Sequence, residues 1–495
     1  MLINAGYREM TCKWSKMRFL SCFITSLMLL VLFACQPGKK NVTKIMRAEE
    51  LIASGEFSKL KAYADSILIT GNLTRIEAVR LDSLREMSER IKLDFSLNEA
   101  DIRSRLMKYY PKLDSKQLVD WENKLKLEMR RIDGEKRYFK NAVGNLFMLD
   151  DVANSRKIEV EGYRTDSLKL FCVQHTRKII SETMNFGEPV HPVGMKLTYS
   201  IVVRPNAVPE GEIIRCWMPF PREGSRRQIN IRLLKSDPEK TVIAPESDLQ
   251  RSVYLEKQAK KDKPTLFQIE LEVETSAQYF DLNPEMINPY DTGSAVYKEF
   301  TSERRPQIVF TREIKQLAKR IIGREVNPLR KVQKIYNWIN DSIRWASALE
   351  YGTMPDIPGY VLKNRHGDCG MQTLLFMALS RSQGIPVKWQ SGWMLHPRAV
   401  NLHDWCEVYY EGVGWVPLDQ SFGLQDDANV KVRNFYRSGI DSYRLIVNDD
   451  YACDLSPRKK YRRSEPSDFQ RGELEWEGGN LYFNTWSWNM EVEYR

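Results

Sequence analysis

Between residues 42 and 190 apolar side chains recur at three- and four-residue steps, as in Leu118, Trp121, Leu125 and Met129, and more loosely in Ile76, Val79, Leu84 and Met87. That period stacks side chains on one face of a helix, so this stretch is predicted to be helical, a packing or spacer region without catalytic groups of its own. From Met195 the period changes to two. The runs LTYSIVV, EIIRCWMPFP and INIRLL are separated by turn-rich segments, and Phe267, Ile269, Leu271 and Val273 alternate with Gln268, Glu270, Glu272 and Glu274. Alternation of this kind gives a strand with one apolar face inward and one acidic face in water. Several such strands over residues 195–285 predict a small β-sandwich.

Beyond residue 300 the two periods mix. Val332, Ile335, Tyr336 and Ile339 form one face of a helix that Pro328 suits as a start. A second helix is predicted to begin at Cys369, with Met371, Leu375, Ala378 and Leu379 on one face, and to end before Gly384 and Pro386. Strands follow at VKWQSGWML, HDWCEVYY and GWVPLD, and further strands at YRLIVN and LYFNTWSWNMEVEYR are expected to complete that sheet or pack on it. The domain plan is therefore an export segment at 1–35, a helical region at 42–190, the sandwich at 195–285 and an α+β domain at 300–495.

Met17 to Cys35 reads MRFLSCFITSLMLLVLFAC, a basic start, an apolar run and a small residue before a cysteine. This is the layout of an export signal, and the run is short for a membrane span, which needs about 20 residues. Leu32-Phe33-Ala34-Cys35 is similar to a bacterial lipobox, which implies lipidation at Cys35 and a chain held outside the cytoplasm, on the outer membrane, facing periplasm or cell surface. Translation can start at Met1 or at Met17.

The chain has 495 residues, 42% hydrophobic and 28% charged, which fits two to four globular domains. A net charge of +10 raises the question of nucleic acid, but the basic residues are scattered among acids. Lys459, Lys460, Arg462 and Arg463 are read as a solvated run, and no nucleic-acid partner is expected. Past Cys35, five cysteines remain: Cys172, Cys216, Cys369, Cys406 and Cys453. Their spacing is unpatterned and no CxxC pair occurs, so neither a disulfide framework nor a zinc site is predicted, and no metal or other cofactor is expected.

The unpaired thiol points to chemistry. A nucleophilic cysteine needs an ionised sulfur beside a base, and unpaired amides at a helix N-terminus favour thiolate. Cys369 is placed there, between Gly367 and Gly370, with Asp368 as a cap. In the following hairpin, alternation puts His403 with Trp405 and Glu407 on one face and Asp404 with Cys406 and Val408 on the other. The turn from Glu411 to Gly414 brings Asp419 beside His403, where a carboxylate holds the imidazole tautomer. The expected roles are Cys369 nucleophile, His403 base and Asp419 orienting acid, with the thiol pKa below the free value. Cys406 is read as packing, His175 and His366 as non-catalytic, and His396 as a surface-loop residue.

The blocks NRHGDCGMQTLLFMALSRSQGIPV, HDWCEVYY and GWVPLDQSFG together resemble the transglutaminase-like superfamily, from about Arg330 to Phe422. The resemblance implies a papain-like core, a Cys-bearing helix on an antiparallel sheet, and transfers the catalytic roles to Cys369, His403 and Asp419. It also implies thiolate attack on an amide of a peptide or other substrate, an acyl-enzyme, and an upstream oxyanion donor for which Trp345 and Tyr351 are the candidates. Hydrolysis is favoured over crosslinking because an exported enzyme meets concentrated water. The alternative is a binding or scaffold lipoprotein of the same fold without turnover.

Overall fold

The computed structural model describes residues 44–71 and 73–495. The export segment, with Cys12, Cys22 and the lipidation candidate Cys35, lies outside the described residues. Among those described, no helix is long and apolar enough to cross a membrane.

The chain divides into two compact units, 1–88 and 89–495. In the first, helices Lys44–Ala53 and Phe57–Thr70 and the start of Arg75–Asp94 bury Leu51, Leu60, Leu81 and Leu84 together. Ile76 and Val79 are exposed, but Leu84 is buried and Met87 packs against the same core, so half of the looser stripe faces inward, and Leu81, which it left out, completes the buried face.

The second unit opens with helices and one hairpin. Helix Ser115–Asn123 buries Leu118 and Trp121 and then stops. Leu125 takes a left-handed backbone with φ 55°, and Met129 begins the hairpin Met129–Ile132/Glu135–Tyr138, so the helical period does not continue to Met129. This region is more than a spacer. Asn145 exchanges two 2.9 Å hydrogen bonds with the backbone of Ser347, and buried Asp94 accepts from the Glu350 amide at 2.9 Å while pairing with Lys140 at 2.9 Å. These tie it to the segment that leads into the Cys369 helix.

The sandwich is built from two antiparallel sheets. One runs Gly439–Ile440, Thr265–Tyr279, Val190–Val203, Trp486–Tyr494, with Gln228–Asp237 also on Thr265–Tyr279; the other runs Gly479–Leu481, Glu473–Trp476, Ile213–Pro219, Ser252–Gln258, Val242–Ile243. Phe267, Ile269, Leu271 and Val273 fill the interior, as their alternation requires. The acidic face is not simply in water. Glu272 is buried and pairs with Arg232 and Arg495, and Glu270 pairs with Lys196. Lys459 and Arg463, read as solvated, are also buried or nearly so: both pair with Glu473, which burial would raise but which Arg463 and Lys459 hold low.

The C-terminal strands are the main departure from the domain plan. Arg444–Asn448 joins the sheet that carries His403, in the order Gly414–Leu418, Ala399–Tyr410, Val387–His396, Arg444–Asn448, all antiparallel. The later strands do not: Glu473–Trp476, Gly479–Leu481 and Trp486–Tyr494 belong to the sandwich. The two cores touch through Trp393, Leu395, Leu445 and Val447, which extend from the four-stranded sheet into the sandwich interior. On the sheet's other reach lies helix Cys369–Arg381, with every residue from Gly370 to Arg381 buried. The helix is buried on every side, its polar Gln372, Thr373, Ser380 and Arg381 included, and helices Arg312–Ile322, Pro328–Ser342 and Ile357–Asn364 share its core.

Candidate functional site

Two short strands, Arg344–Trp345 and His366–Gly367, pair in parallel just ahead of the Cys369 helix and set its start. Asp368 caps that helix by accepting the Met371 amide at 3.1 Å, and it also takes the hydroxyl of Tyr351. Gly370 is required by contact: a Cβ there would lie 2.6 Å from Oδ2 of Asp404. Cys369 is half-buried and opens onto a cleft of about 350 Å³, which Trp345, Tyr351, Asp368 and Asp404 also line. Both oxyanion candidates are therefore at this cleft; Trp345 is 45% exposed, whereas Tyr351 is buried and its hydroxyl is turned to Asp368.

The hairpin register is continuous from Val387–Val408 to His396–Ala399, and Leu418 lies opposite Cys406. His403 and Asp419 lie side by side, with Nε2 to Oδ2 at 2.7 Å. Asp419 also accepts from Arg444 at 3.0 and 3.3 Å and, on its other oxygen, from the Phe422 amide at 3.3 Å. Burial would raise this carboxyl, but His403 and Arg444 outweigh it and hold it low. Burial lowers His403, with Asp419 opposing.

Cys369 is on the other side of this strand. Asp404, Cys406 and Val408 face the Cys369 helix, and the sulfur donates to Oδ2 of Asp404 at 3.3 Å. Among the described residues no hydrogen bond joins Cys369 to His403, which packs instead on Trp405 and Phe422. Direct proton transfer between Cys369 and His403, the expected arrangement, is thus not assembled in this structure. The physical reason is the two-residue period itself: neighbours on a regular strand point to opposite faces, and the face that meets the helix carries Asp404. The expected depression of the thiol pKa is reversed as well. Burial raises it well above the ordinary value, and Asp404 and Asp368 add to this. Asp404 is itself raised by burial and by neighbouring Asp468, and Gln470 holds its other oxygen at 2.8 Å.

The His403 face continues into a buried network that the sequence did not reveal. Arg444 reaches Asp441 at 3.1 Å and both ring nitrogens of His396, at 3.2 and 3.3 Å. His396 is wholly buried at the end of strand Val387–His396, not in a surface loop, and Cys172 lies 3.8 Å from its Nε2. Cys172, His396 and Asp441 approach one another as metal ligands do. The set does not suit a metal ion, since the Arg444 cation already lies against two of the three, and burial pushes the Cys172 thiol up to about 12. His175 and His366 are buried packing residues on aromatic rings. All five described cysteines are free.

A cysteine-led helix laid on an antiparallel sheet, with a paired histidine and aspartate on the adjoining hairpin, defines an α+β thiol domain. Residues 315–420 match the transglutaminase-like superfamily, so the chain carries a domain of that superfamily, flanked by the helical region and the sandwich. No curated protein matches the chain. Among solved structures, a candidate cysteine protease from Cytophaga hutchinsonii is 16% identical, covering 62% of this chain and 91% of that one, with a TM-score of 0.42. The periplasmic domain of TgpA from Pseudomonas aeruginosa, bound to ethylmercury, is 12% identical, covering 52% and 97%, with a TM-score of 0.25. A candidate protease from Parabacteroides distasonis is 13% identical, covering 54% and 47%, with a TM-score of 0.21.

Proposed function

We propose that this protein is an extracytoplasmic, lipid-anchored cysteine hydrolase or acyl transferase that acts on amide bonds, with Cys369 as nucleophile, His403 as proton acceptor and Asp419 as its orienting partner. The observation that carries the reading is a half-buried thiol at the first position of a helix, open to a 350 Å³ cleft, inside the segment that matches the transglutaminase-like superfamily. The thiol loses its proton to the imidazole, and sulfur attacks the amide carbonyl. The C–N bond then breaks, the departing amine takes the proton, and a thioester remains. Water, or a second amine, resolves the thioester and restores the thiol. Of the two candidate side-chain donors for the oxyanion, Trp345 stands partly exposed at the cleft, whereas Tyr351 must first release its hydroxyl from Asp368 to donate. Hydrolysis is the favoured outcome in a water-filled compartment.

In this reading the resting thiol is held on Asp404, and the His403 stretch of strand Ala399–Tyr410 must shift before the imidazole meets sulfur. A second reading is favoured by that same contact: a sulfur paired to a carboxyl, and raised rather than lowered, suits a binding or scaffold module of this fold without turnover. Alkylation of the full chain with iodoacetamide, mapped by peptide mass and followed against pH, together with amide cleavage by wild type, Cys369→Ala and His403→Ala, separates the two. The catalytic reading expects activity that both substitutions abolish and a Cys369 alkylation curve that moves to higher pH in His403→Ala. An unchanged curve, with no amide turned over, gives the silent module.

A further inference from the structure

One stretch departs from the general scatter of charge. Residues 312–334 carry eight lysines and arginines against two acids, in a chain whose 75 bases and 65 acids otherwise nearly balance. They form helix Arg312–Ile322, a short turn and the start of helix Pro328–Ser342. The first helix turns Ile314, Leu317, Ala318 and Ile322 into the core and leaves Lys315, Lys319 and Arg320 exposed on its outer side. Arg324 in the turn, and Arg330 and Lys334 on the second helix, are exposed as well. Lys334 joins the two sets, since its Nζ donates to the Ile322 carbonyl at 2.9 Å.

None of these six cations makes an ion pair among the described residues. The nearby acids do not balance them. Glu313 stands in the first turn of its helix, away from the basic end. Glu325 accepts the amides of Val326 and Asn327 at 3.0 and 2.9 Å, and these bonds, with Arg330 and Lys334 nearby, hold its carboxyl low. Glu285 lies on the neighbouring turn, where Asn327 donates to the Pro284 carbonyl at 3.1 Å. Lys315 with Lys319, and Arg330 with Lys334, are like charges one helical turn apart, a repulsive spacing. The helix end does not require it, because Lys334 on the Ile322 carbonyl already complements the C-terminal dipole.

Val326 stands between Arg324 and Arg330 with 82% of its surface exposed. An apolar side chain projecting among cations suits a lipid interface, where it enters the acyl boundary while ammonium and guanidinium groups stay at the level of the phosphates. A nucleic-acid backbone offers the phosphates without the apolar layer. We infer that this turn and the helix ends beside it form a docking surface for an anionic phospholipid bilayer, with Val326 at the headgroup boundary and the six cations on lipid phosphates. The docking rests on the extracytoplasmic, lipid-anchored reading, which puts a bilayer within reach, and it sets which side of the thiol domain faces the lipid.

The test maps lysine acetylation by peptide mass on full-length protein mixed with vesicles of phosphatidylcholine alone or with about 30% phosphatidylglycerol. Anionic vesicles are expected to slow acetylation of Lys315 and Lys319 at least about fivefold relative to neutral ones, the weight of one cation at such a surface. Lys260 and Lys261, exposed in the turn between two sandwich strands, should keep their rates. About 0.5 M NaCl should cancel the protection by screening it. A triple variant, Arg320→Gln with Arg324→Gln and Val326→Ser, should lose the protection with its circular dichroism spectrum unchanged. Equal rates on both vesicles, equal slowing at Lys260 and Lys261, or protection that survives the triple substitution overturns the inference. Stronger protection by a DNA duplex of about 20 base pairs than by anionic vesicles overturns it too, and assigns the surface to nucleic acid. The N-terminal peptide of the same digest reads lipidation at Cys35, so an unlipidated chain with the expected protection counts against the anchored location alone.

Discussion

Replacing Arg444 by methionine is the sharpest probe of the buried network. The guanidinium is fully buried and stands between Asp419 and Asp441, within 3.0 and 3.1 Å of their nearest oxygens, so its loss leaves two buried carboxyls short of a cation. Removing one member of a buried pair costs roughly 3–5 kcal/mol. We hold the expectation to that range, although two acids are affected, because Asp419 keeps His403 and Asp441 keeps His396 at 3.2 Å and Tyr436 at 2.9 Å. Methionine retains the packing over Phe422, whose ring centre lies 4.0 Å from the guanidinium carbon. The loss should depend on pH. Burial would raise Asp441, yet Arg444 and His396 hold it well below the ordinary carboxyl value, and Asp419 is lowered too. In the wild type this stabilisation is present above the ordinary carboxyl value and is lost as pH falls through the lowered one. In Arg444→Met both carboxyls rise, so the folded variant takes up protons earlier on acidification. Its deficit is therefore greatest near neutrality and shrinks toward about pH 4. Urea unfolding at about pH 7 and about pH 4.5 measures it. A deficit below about 1 kcal/mol, or the same deficit at both pH values, refutes the reasoning.

Two further substitutions test other parts of the structure. Asp404→Asn removes the carboxyl that accepts the Cys369 hydrogen bond and helps hold the thiol pKa up, and should speed iodoacetamide labelling of Cys369 at about pH 7; an unchanged rate counts against the contact. Trp393→Ala empties a fully buried site between the four-stranded sheet and the sandwich, where the indole donates to the Gln470 carbonyl at 3.0 Å, and should cost about 3–5 kcal/mol in denaturant unfolding.

The parts of the fold that could be read from the sequence are those where a local period decides. The strand around Phe267 to Val273, the Pro328 helix and the Cys369 helix all carry patterns that only one secondary structure satisfies. The hairpin also followed from alternation and turn length, so the meeting of His403 with Asp419 was legible. Which face of that hairpin meets the Cys369 helix was not, because alternation groups residues by face without saying what covers each face. Asp404 on Cys369 is the result. The contact between Cys172 and His396 crosses 224 positions and leaves no local mark. The run LYFNTWSWNMEVEYR was expected to hold strand, yet nothing in it named Val190–Val203 as the partner of Trp486–Tyr494.

That pairing sets an order on assembly. Tyr494 lies opposite Met195 and Trp486 opposite Val203, so an inner strand of the sandwich stays without one neighbour until about 300 further residues exist. At roughly 5–20 residues per second, synthesis of that length takes on the order of tens of seconds, during which the first strands expose an apolar face and an open edge. The sandwich is a clasp whose two halves are made at opposite ends of the thiol domain. The thiol domain must then take shape between jaws that have not yet shut.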